Sequence, residues 1–399
     1  MHPEAAAQIE QSSLNNVYVH VPFCRSKCPF CYIPVQRAGT HDLESYLQAV
    51  GEEIEGRVRT ALSRQSAVAV RQIYFGGGTP SLAPPESLGW VLAALRRVLG
   101  PFANTTVTLE ILPEQFAPDY FERLDTAGFN RVAVGVQTFD APQLAQLKRP
   151  YSARVALACL DQARRANIAS VACELMWGYP EAEEQSMSRD FQEAADVGAT
   201  EVSFQWYNVR DGSNAPSGAG LDRLENMFAR TRELAIALGY QQCSAQTFRL
   251  PGEQASAGGL NAAGISATSY GAILGVGWQA VSYLGLTSGQ HVGTLQEYLR
   301  APAEHYHEEL IADEHFFETA LFYELTMSMH FDVRAFVTRF CLADLSEAAG
   351  ILPTIIAFQE AGVISSCKEG GFDLTPRGQA ILDAAMASMG TYNRGGAVL

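Results

Sequence analysis

The chain has 399 residues, of which 47% are hydrophobic and 18% charged, and this composition supports a domain of about 200–250 residues with a smaller one beside it. No apolar run reaches the roughly 18 residues of a membrane span, and the first residues lack the basic and apolar regions of a secretory signal. We therefore expect a cytoplasmic protein with no membrane partner. The net charge of −15 also disfavours nucleic acid, because phosphate backbones bind basic surfaces.

Strand-like and helix-like segments alternate along the first two-thirds of the chain. A β-rich run at 17–21 precedes a helical pattern that begins at 42, and the next apolar run leads into a glycine run at 76–78. Four more apolar runs follow, separated by helical stretches: TTVTLEIL, RVAVGVQTF, ASVACELMWG and ATEVSFQWY. About six β–α units thus precede residue 210, which predicts an α/β fold whose parallel sheet curls into a partial (β/α)6, TIM-like barrel.

Composition divides the chain into four predicted regions. An N-terminal extension covers 1–16, and the barrel covers 17–210. A connecting and substrate region follows at 211–300, where Gly, Ser, Ala and Asn are frequent. The last region, 301–399, reads as helices followed by a hairpin-like stretch, which predicts a small C-terminal helical domain of winged-helix type.

Unusual polar residues recur at one position within the β–α units. Cys24 follows the first strand, the glycine run follows the second, and Glu110, Gln137 and Glu174 come with the next three. Each lies toward the carboxyl end of a predicted parallel strand, the edge where barrel folds carry their chemistry. We therefore expect these residues to meet at one site.

Three cysteines, Cys24, Cys28 and Cys31, stand in a C-x3-C-x2-C loop. A structural metal site takes four protein ligands, so three thiols leave one coordination position for chemistry. Three irons of a 4Fe–4S cluster fit this loop, with the fourth iron free for a cofactor. The alternatives are unligated thiols or a zinc site completed by a distant residue such as His20, for which we favour a supporting role. The remaining cysteines are predicted to be small core hydrophobes: Cys159, Cys173, Cys243, Cys341 and Cys367.

The segments YVHVPFCRSKCPFC and YFGGGTPS resemble the radical S-adenosylmethionine (SAM) superfamily, in its branch of oxygen-independent coproporphyrinogen oxidase-like proteins. The resemblance begins near residue 17 and thins after 180. It implies that the cysteines bind a 4Fe–4S cluster whose free iron is chelated by the amino and carboxylate groups of SAM. It also implies that an electron from the reduced cluster cleaves SAM to methionine and a 5′-deoxyadenosyl radical.

The same resemblance implies a set of SAM-contacting or cluster-flanking positions: Tyr18, Phe30, Gly76, Gly77, Gly78, Thr79, Glu110, Gln137, Arg149, Glu174 and Met176. Each has a plainer interpretation. The glycine run could be a tight turn, and Tyr18 an ordinary strand aromatic. Gln137 could be a satisfied core amide and Arg149 a surface residue.

Two positions depart from the family pattern. Glu174 stands where relatives commonly have aspartate, so its extra methylene requires the pocket to shift. Ile33 stands where coproporphyrinogen oxidases have a further cysteine, which weakens the porphyrin assignment.

Three functions follow from the resemblance. The one we favour is a radical SAM methyltransferase of the class C type, which would use two SAM molecules to add a methyl or methylene group to an sp2 carbon of a natural product. The alternatives are oxidative decarboxylation of a coproporphyrinogen and a haem chaperone. A small-molecule substrate and an electron donor such as flavodoxin or ferredoxin are the expected partners. We expect Gly275, Gly277 and Trp278 to line a second pocket.

Overall fold

The computed structural model describes most of the chain in twelve stretches: residues 14–31, 33–39, 42–59, 68–102, 104–166, 168–179, 183–207, 219–252, 272–284, 287–310, 313–368 and 370–388. Within them, no helix combines the length and apolar character that a bilayer span requires. The loop segments expected at 211–218 and 253–262 in the connecting region lie outside the described residues.

Six parallel strands form the centre of the main sheet: β1 (Leu14–Val21), β2 (Val68–Gly77), β3 (Thr106–Ile111), β4 (Arg131–Gln137), β5 (Ser170–Trp177) and β6 (Glu201–Trp206). Each pairs in parallel with the next along the chain. The strands are apolar runs buried on both faces, because helices connect every pair. The predicted α/β class and parallel sheet are confirmed.

Helices cross between these strands: α1 (Leu43–Glu53, continued by a π-helical turn at Ile54–Val58), α2 (Pro85–Leu99), α3 (Tyr120–Ala127), α4 (Ala141–Gln146), α5 (Ala153–Arg165) and α6 (Ser186–Asp196). In α2 the sequence explains both placement and packing. Pro85 begins the helix, where its missing N–H costs nothing. Leu88, Val91, Leu92 and Leu95 are fully buried at helical spacing and form its core face.

Shorter strands extend the sheet on both sides. After α7 (Ala219–Ala237) come β7 (Gln241–Gln242) and β8 (Thr247–Arg249). β8 pairs antiparallel with β6, and β7 pairs antiparallel with β8. On the other side, β9 (Ala272–Val276) pairs in parallel with β1. Three antiparallel strands and one helix continue from it: β10 (Val281–Leu284), β11 (Thr287–His291), α8 (Leu295–Arg300) and β12 (Tyr306–Leu310).

The C-terminal part has the helix, strand, helix, helix, hairpin order of a winged helix, as predicted. Its elements are α9 (Asp313–Ser328), β13 (His330–Phe331), α10 (Val333–Arg339), α11 (Ile351–Glu360), β14 (Ile364–Ser366), β15 (Phe372–Leu374) and α12 (Pro376–Ser388). β15 is the middle strand of a small antiparallel sheet. Fully buried Phe317, Phe331, Phe336 and Phe340 pack edge to face beneath it.

Candidate active site at the carboxyl ends of the parallel strands

The cysteine loop is fixed at its beginning and end by backbone hydrogen bonds. The Phe23–Cys24 segment pairs in parallel with Gln36–Arg37, and the Ala38 N–H donates to the Cys24 carbonyl at 2.8 Å. The Thr79 N–H, beyond the glycine run, donates to the Phe23 carbonyl at 2.8 Å. The loop therefore lies directly against the end of β2.

The three thiols share one partly exposed pocket. Burial raises the pKa of the Cys24 and Cys31 thiols. Negative charge on the neighbouring cysteines raises both pKa values further. Cys24 Sγ lies 3.4 Å from Thr79 Oγ1, and Cys28 Sγ lies 3.5 Å from Arg149 Nη1. Thiols with raised pKa values ionise together only when a cation lies beside them, and a metal ion or cluster would supply that positive charge.

The thiol spacing distinguishes between the two metal interpretations. A tetrahedral zinc ion with Zn–S bonds of about 2.3 Å holds its thiolates about 3.8 Å apart. In the part of the chain that the structure describes, the loop thiols do not form a group of three donors within 4.8 Å of one another. Both ring nitrogens of His20 face other groups, the Tyr18 hydroxyl at 3.2 Å and the Pro34 carbonyl at 3.5 Å. Thiols spaced more widely than zinc holds them, together with a His20 ring that already contacts other groups, favour an iron–sulfur cluster over a zinc site completed by His20.

The glycine run at the end of β2 brings bare backbone against the loop. Gly77 has φ of +109°, and a Cβ there would lie 2.6 Å from the His20 ring. A Cβ on Gly78 would lie 2.6 Å from the Phe23 carbonyl oxygen, and one on Gly76 3.1 Å from Glu110 Oε1. Only glycine fits these three positions, so the run is a cradle whose backbone can approach a ligand closely.

A pair of half-buried carboxyl groups, Glu110 and Glu174, lies beside the cradle. The Tyr74 hydroxyl donates to Glu110 Oε1 at 2.7 Å, and the Tyr74 ring stacks on Tyr18 with centroids 6.2 Å apart. Burial, and then the charge of Glu174, raise the pKa of Glu110 to about 8. Burial also raises the pKa of Glu174, against the opposing effect of Arg131. Two carboxyls that resist ionisation together form a site that favours a cationic ligand group.

Gln137 and Arg149 converge at the end of β4. The strand register shifts between Gly135 and Gln137, and Gln137 has φ of +70°, a conformation that non-glycine residues seldom adopt. Both side chains approach Gly135. A Cβ added to Gly135 would lie 3.1 Å from Gln137 Nε2 and 3.9 Å from Arg149 Nη2. Arg149 Nε is buried without a hydrogen-bond partner in the protein. This unpaired guanidinium N–H lies beside the thiols and can donate a hydrogen bond to an anionic group such as a carboxylate.

An apolar wall closes one side of the thiol pocket. Leu147, Met176 and Tyr179 are buried together, and Phe30 and Tyr207 pack against them. Tyr207 lies edge-on to Phe30 with ring centroids 6.3 Å apart, and 5.0 Å from Tyr179. This wall of aromatic rings beside the thiols can hold a flat ligand and exclude water.

The structure brings together at one edge most of the positions that the sequence singled out. Glu174 lies three residues before the end of β5, beside Gly135 of β4, and is near enough to Glu110 for its charge to raise the pKa of that carboxyl. Sequence reasoning missed Tyr74, Tyr179 and Tyr207. Tyr74 pairs with Thr108, which lies two residues before Glu110, and alternate residues of a strand share a face. The alternation of side chains could therefore have placed Tyr74 on the face of Glu110.

Gly275, Gly277 and Trp278 were expected to line a second pocket, and their observed contacts are with helix α1 and with β10. The N–H of Gly277 donates to Glu53 Oε2 at 2.8 Å, and that of Trp278 to the Tyr46 hydroxyl at 3.0 Å. A Cβ on Gly275 would lie 2.3 Å from the Val281 carbonyl oxygen. These contacts give the segment a packing role.

The cysteine prediction was wrong for part of the chain. Cys159 and Cys173 are buried core residues, as expected. Cys243, Cys341 and Cys367 are only half-buried, because each lies in a turn or at a strand end where the sheet edge meets solvent.

Comparison with known proteins shows what the chain is similar to. The profile of the radical SAM superfamily matches residues 18–193, the segment that carries the thiol loop, the cradle and both carboxyls of the pair. This segment is similar to the radical SAM superfamily, and the α/β fold and the three-thiol pocket described above agree with that similarity.

The relatives show which branch it resembles. The heme chaperone HemW of Escherichia coli K12 is 29% identical over 246 residues, 60% of this chain and 64% of that protein. The anaerobilin synthase of Escherichia coli O157:H7 is 30% identical over 227 residues, 55% of this chain and 50% of that protein. The alignments thus span less than two-thirds of these relatives. The solved structure of coproporphyrinogen III oxidase (HemN) from Escherichia coli aligns over 98% of this chain and 92% of its own, with a TM-score of 0.74 and 20% identity, and shows the same fold.

The chain is therefore similar in sequence to a heme chaperone and an anaerobilin synthase, and similar in fold to coproporphyrinogen III oxidase. The name of the first of these relatives agrees with the haem chaperone that the sequence analysis gave as an alternative, and none of these proteins is named for the methyl transfer that it preferred.

Proposed function

We propose that this protein binds a 4Fe–4S cluster and SAM in the thiol pocket and uses the 5′-deoxyadenosyl radical to abstract a hydrogen atom from a tetrapyrrole-class substrate. The observation that carries the proposal is the convergence of three thiols, a glycine cradle and an orphaned guanidinium N–H at one strand edge. A reduced cluster supplies one electron, which splits bound SAM into methionine and the radical; the electron would come from a donor such as flavodoxin or ferredoxin.

Each residue of the pocket has a proposed role in holding SAM. Cys24, Cys28 and Cys31 would hold three irons, with the Thr79 hydroxyl 3.4 Å from Cys24 Sγ as a supporting hydrogen bond. Arg149 is partnered to Cys28 through one guanidinium nitrogen and offers its orphaned Nε–H to an anionic group of the ligand.

The paired carboxyls of Glu110 and Glu174 and the cradle would receive the cationic end of SAM. The methionyl ammonium fits beside Gly76, where a Cβ would already contact Glu110. Glu110 then gives up its proton, because a nearby ammonium favours the ionised carboxylate. Gln137 and Glu174 offer further hydrogen bonds from the ends of β4 and β5.

Two facts support a tetrapyrrole-class substrate. The relatives are named for haem, anaerobilin and coproporphyrinogen. The aromatic wall of Phe30, Tyr179 and Tyr207 provides flat apolar surface beside the thiols, on which a large conjugated ring can stack. The wall would also keep water from the radical.

Methyl or methylene transfer with a second SAM is the second candidate, and the charge distribution favours it. Coproporphyrinogen carries several carboxylates and needs cations, yet the buried arginines Arg131 and Arg249 are both engaged by Glu201.

Product analysis separates these functions. The anaerobically reconstituted protein is incubated with SAM, a reductant and each candidate substrate, beside a Cys28→Ala variant and a core control, Cys159→Ala. We expect 5′-deoxyadenosine from the native chain and the core control but none from Cys28→Ala. Carbon dioxide from coproporphyrinogen would identify the oxidase, and S-adenosylhomocysteine the methyl transfer. Haem binding without 5′-deoxyadenosine would identify a chaperone and refute turnover.

A further inference from the structure

A second group of metal-binding side chains lies on the small C-terminal sheet, outside the thiol pocket. His330 on β13 lies directly opposite Asp373 on β15, and its Nδ1 is 2.6 Å from Asp373 Oδ1. Cys367 follows the end of β14. One potential ligand atom from each of the three residues lies within 4.8 Å of the other two.

The backbone directs these side chains to the same face. Side chains alternate along a strand, and Phe331 and Phe372, the neighbours of His330 and Asp373, pack into the core. His330 and Asp373 therefore point outward, with 35% and 54% of their side chains exposed. The turn that joins β14 to β15 continues the ladder, because the Cys367 N–H donates to the Gly371 carbonyl at 3.0 Å. This register places Cys367 on the face of Asp373, two residues beyond Ser365, which pairs with Asp373.

The three donors have the chemistry of a zinc site. Zinc takes imidazole nitrogen, thiolate sulfur and carboxylate oxygen in tetrahedral sites, whereas magnesium and calcium take oxygen ligands. The partial exposure leaves room for water as a fourth ligand. Without a metal, the His330–Asp373 hydrogen bond would be an ordinary surface pair and Cys367 its neighbour by chance.

We propose that His330, Cys367 and Asp373 bind a zinc ion that links the three strands of the C-terminal sheet. On binding, the Cys367 thiol loses its proton to solvent, and the ion takes the place of the proton between His330 and Asp373, which moves to the other ring nitrogen. Because the ion binds only the folded sheet, it stabilises this part of the chain by mass action. The site is independent of the radical chemistry.

Cobalt(II) provides the test because a thiolate–cobalt bond gives a charge-transfer band in the near ultraviolet. The test uses the whole 399-residue chain with Cys24, Cys28 and Cys31 replaced by alanine, because the loop thiols would also bind cobalt. We expect this protein to bind one equivalent of cobalt with a charge-transfer band and tetrahedral ligand-field bands, and zinc to displace it. Adding Cys367→Ser should abolish the band, while Cys341→Ser, at another half-buried thiol of the same region, should leave it unchanged.

Affinity measurements complete the test. Zinc competition against a chromophoric chelator should show at least a tenfold loss of affinity for Asp373→Asn, which keeps the size of the side chain and removes the charged ligand. Circular dichroism of each variant shows whether the chain is folded. No charge-transfer band in a folded parent, or a band that survives Cys367→Ser, would overturn the proposal. So would unchanged zinc affinity in Asp373→Asn.

Discussion

Replacing Glu201 by glutamine tests the buried charge network beneath the site. Glu201 is fully buried and lies 2.6 Å from Arg131 and 2.7 Å from Arg249, which are themselves 3% and 7% exposed. Burial alone would raise the pKa of Glu201, but the two arginines outweigh it and hold this pKa below its usual value. Glutamine keeps the shape of the side chain and leaves two buried guanidinium groups without their shared anion.

The expected cost follows from the pairs that are broken. Removing one partner of a buried ion pair costs about 3–5 kcal/mol, because the other charge stays desolvated. Glu174 can compensate part of this loss, since it already interacts with both Arg131 and Glu201. Without the negative charge of Glu201, the pKa of Glu174 should fall, and its carboxylate can then pair with Arg131. The destabilisation should therefore be largest at mildly acidic pH, where Glu201 of the native chain is ionised and Glu174 is still protonated, and it should decrease from there as pH rises and Glu174 ionises.

Urea unfolding of the metal-free chain, followed by circular dichroism at several pH values, measures this effect. The control is Glu86→Gln, which breaks a bidentate but exposed pair with Arg123 and should leave the midpoint unchanged. Equal midpoints for Glu201→Gln and Glu86→Gln would refute the reasoning. A Glu201→Gln penalty that grows with pH would refute the compensating role of Glu174.

Three further predictions concern SAM and the strand ends. Arg149→Lys should weaken SAM binding to the reconstituted protein by about tenfold in equilibrium dialysis, because lysine keeps the charge but loses the orphaned Nε–H donor. SAM affinity should rise as pH increases toward the Glu110 pKa of about 8 and then level off, because the ammonium binds the ionised carboxylate; Glu110→Gln should remove this dependence. Gly178→Ala should cost about 2–4 kcal/mol in urea unfolding, because φ is +81° and its Cβ would lie 2.1 Å from the Trp206 ring. Gly239→Ala, with φ of +88° and nothing within 4 Å, should cost only about 1–2 kcal/mol, and equal costs would argue against the clash.

The sequence alone determined the fold class and the region of the site. Apolar runs of strand length alternated with helical patterns. A parallel sheet covered by helices on its two faces buries the apolar strands and the apolar face of each helix together. Because parallel strands present their carboxyl ends at one edge, residues as distant as Cys24 and Arg149 could be assigned to one place. The thiol spacing and the glycine run are each contained in a short stretch of sequence, so both can be recognised without tertiary information. The roles of the individual residues in SAM binding stay predictions.

Only the tertiary structure decided which side chains share protons, charges and ligands. Tyr74 reaches Glu110 across neighbouring strands. Glu201 forms ion pairs with Arg131 of one strand and Arg249 of another. Cys367, which the sequence suggested was a core residue, lies beside His330 and Asp373 because a glycine turn sets the register of the hairpin. Such groups are assembled by strand register and side-chain packing between distant segments, and a pKa or a metal preference depends on distances of a few ångströms that no local pattern encodes.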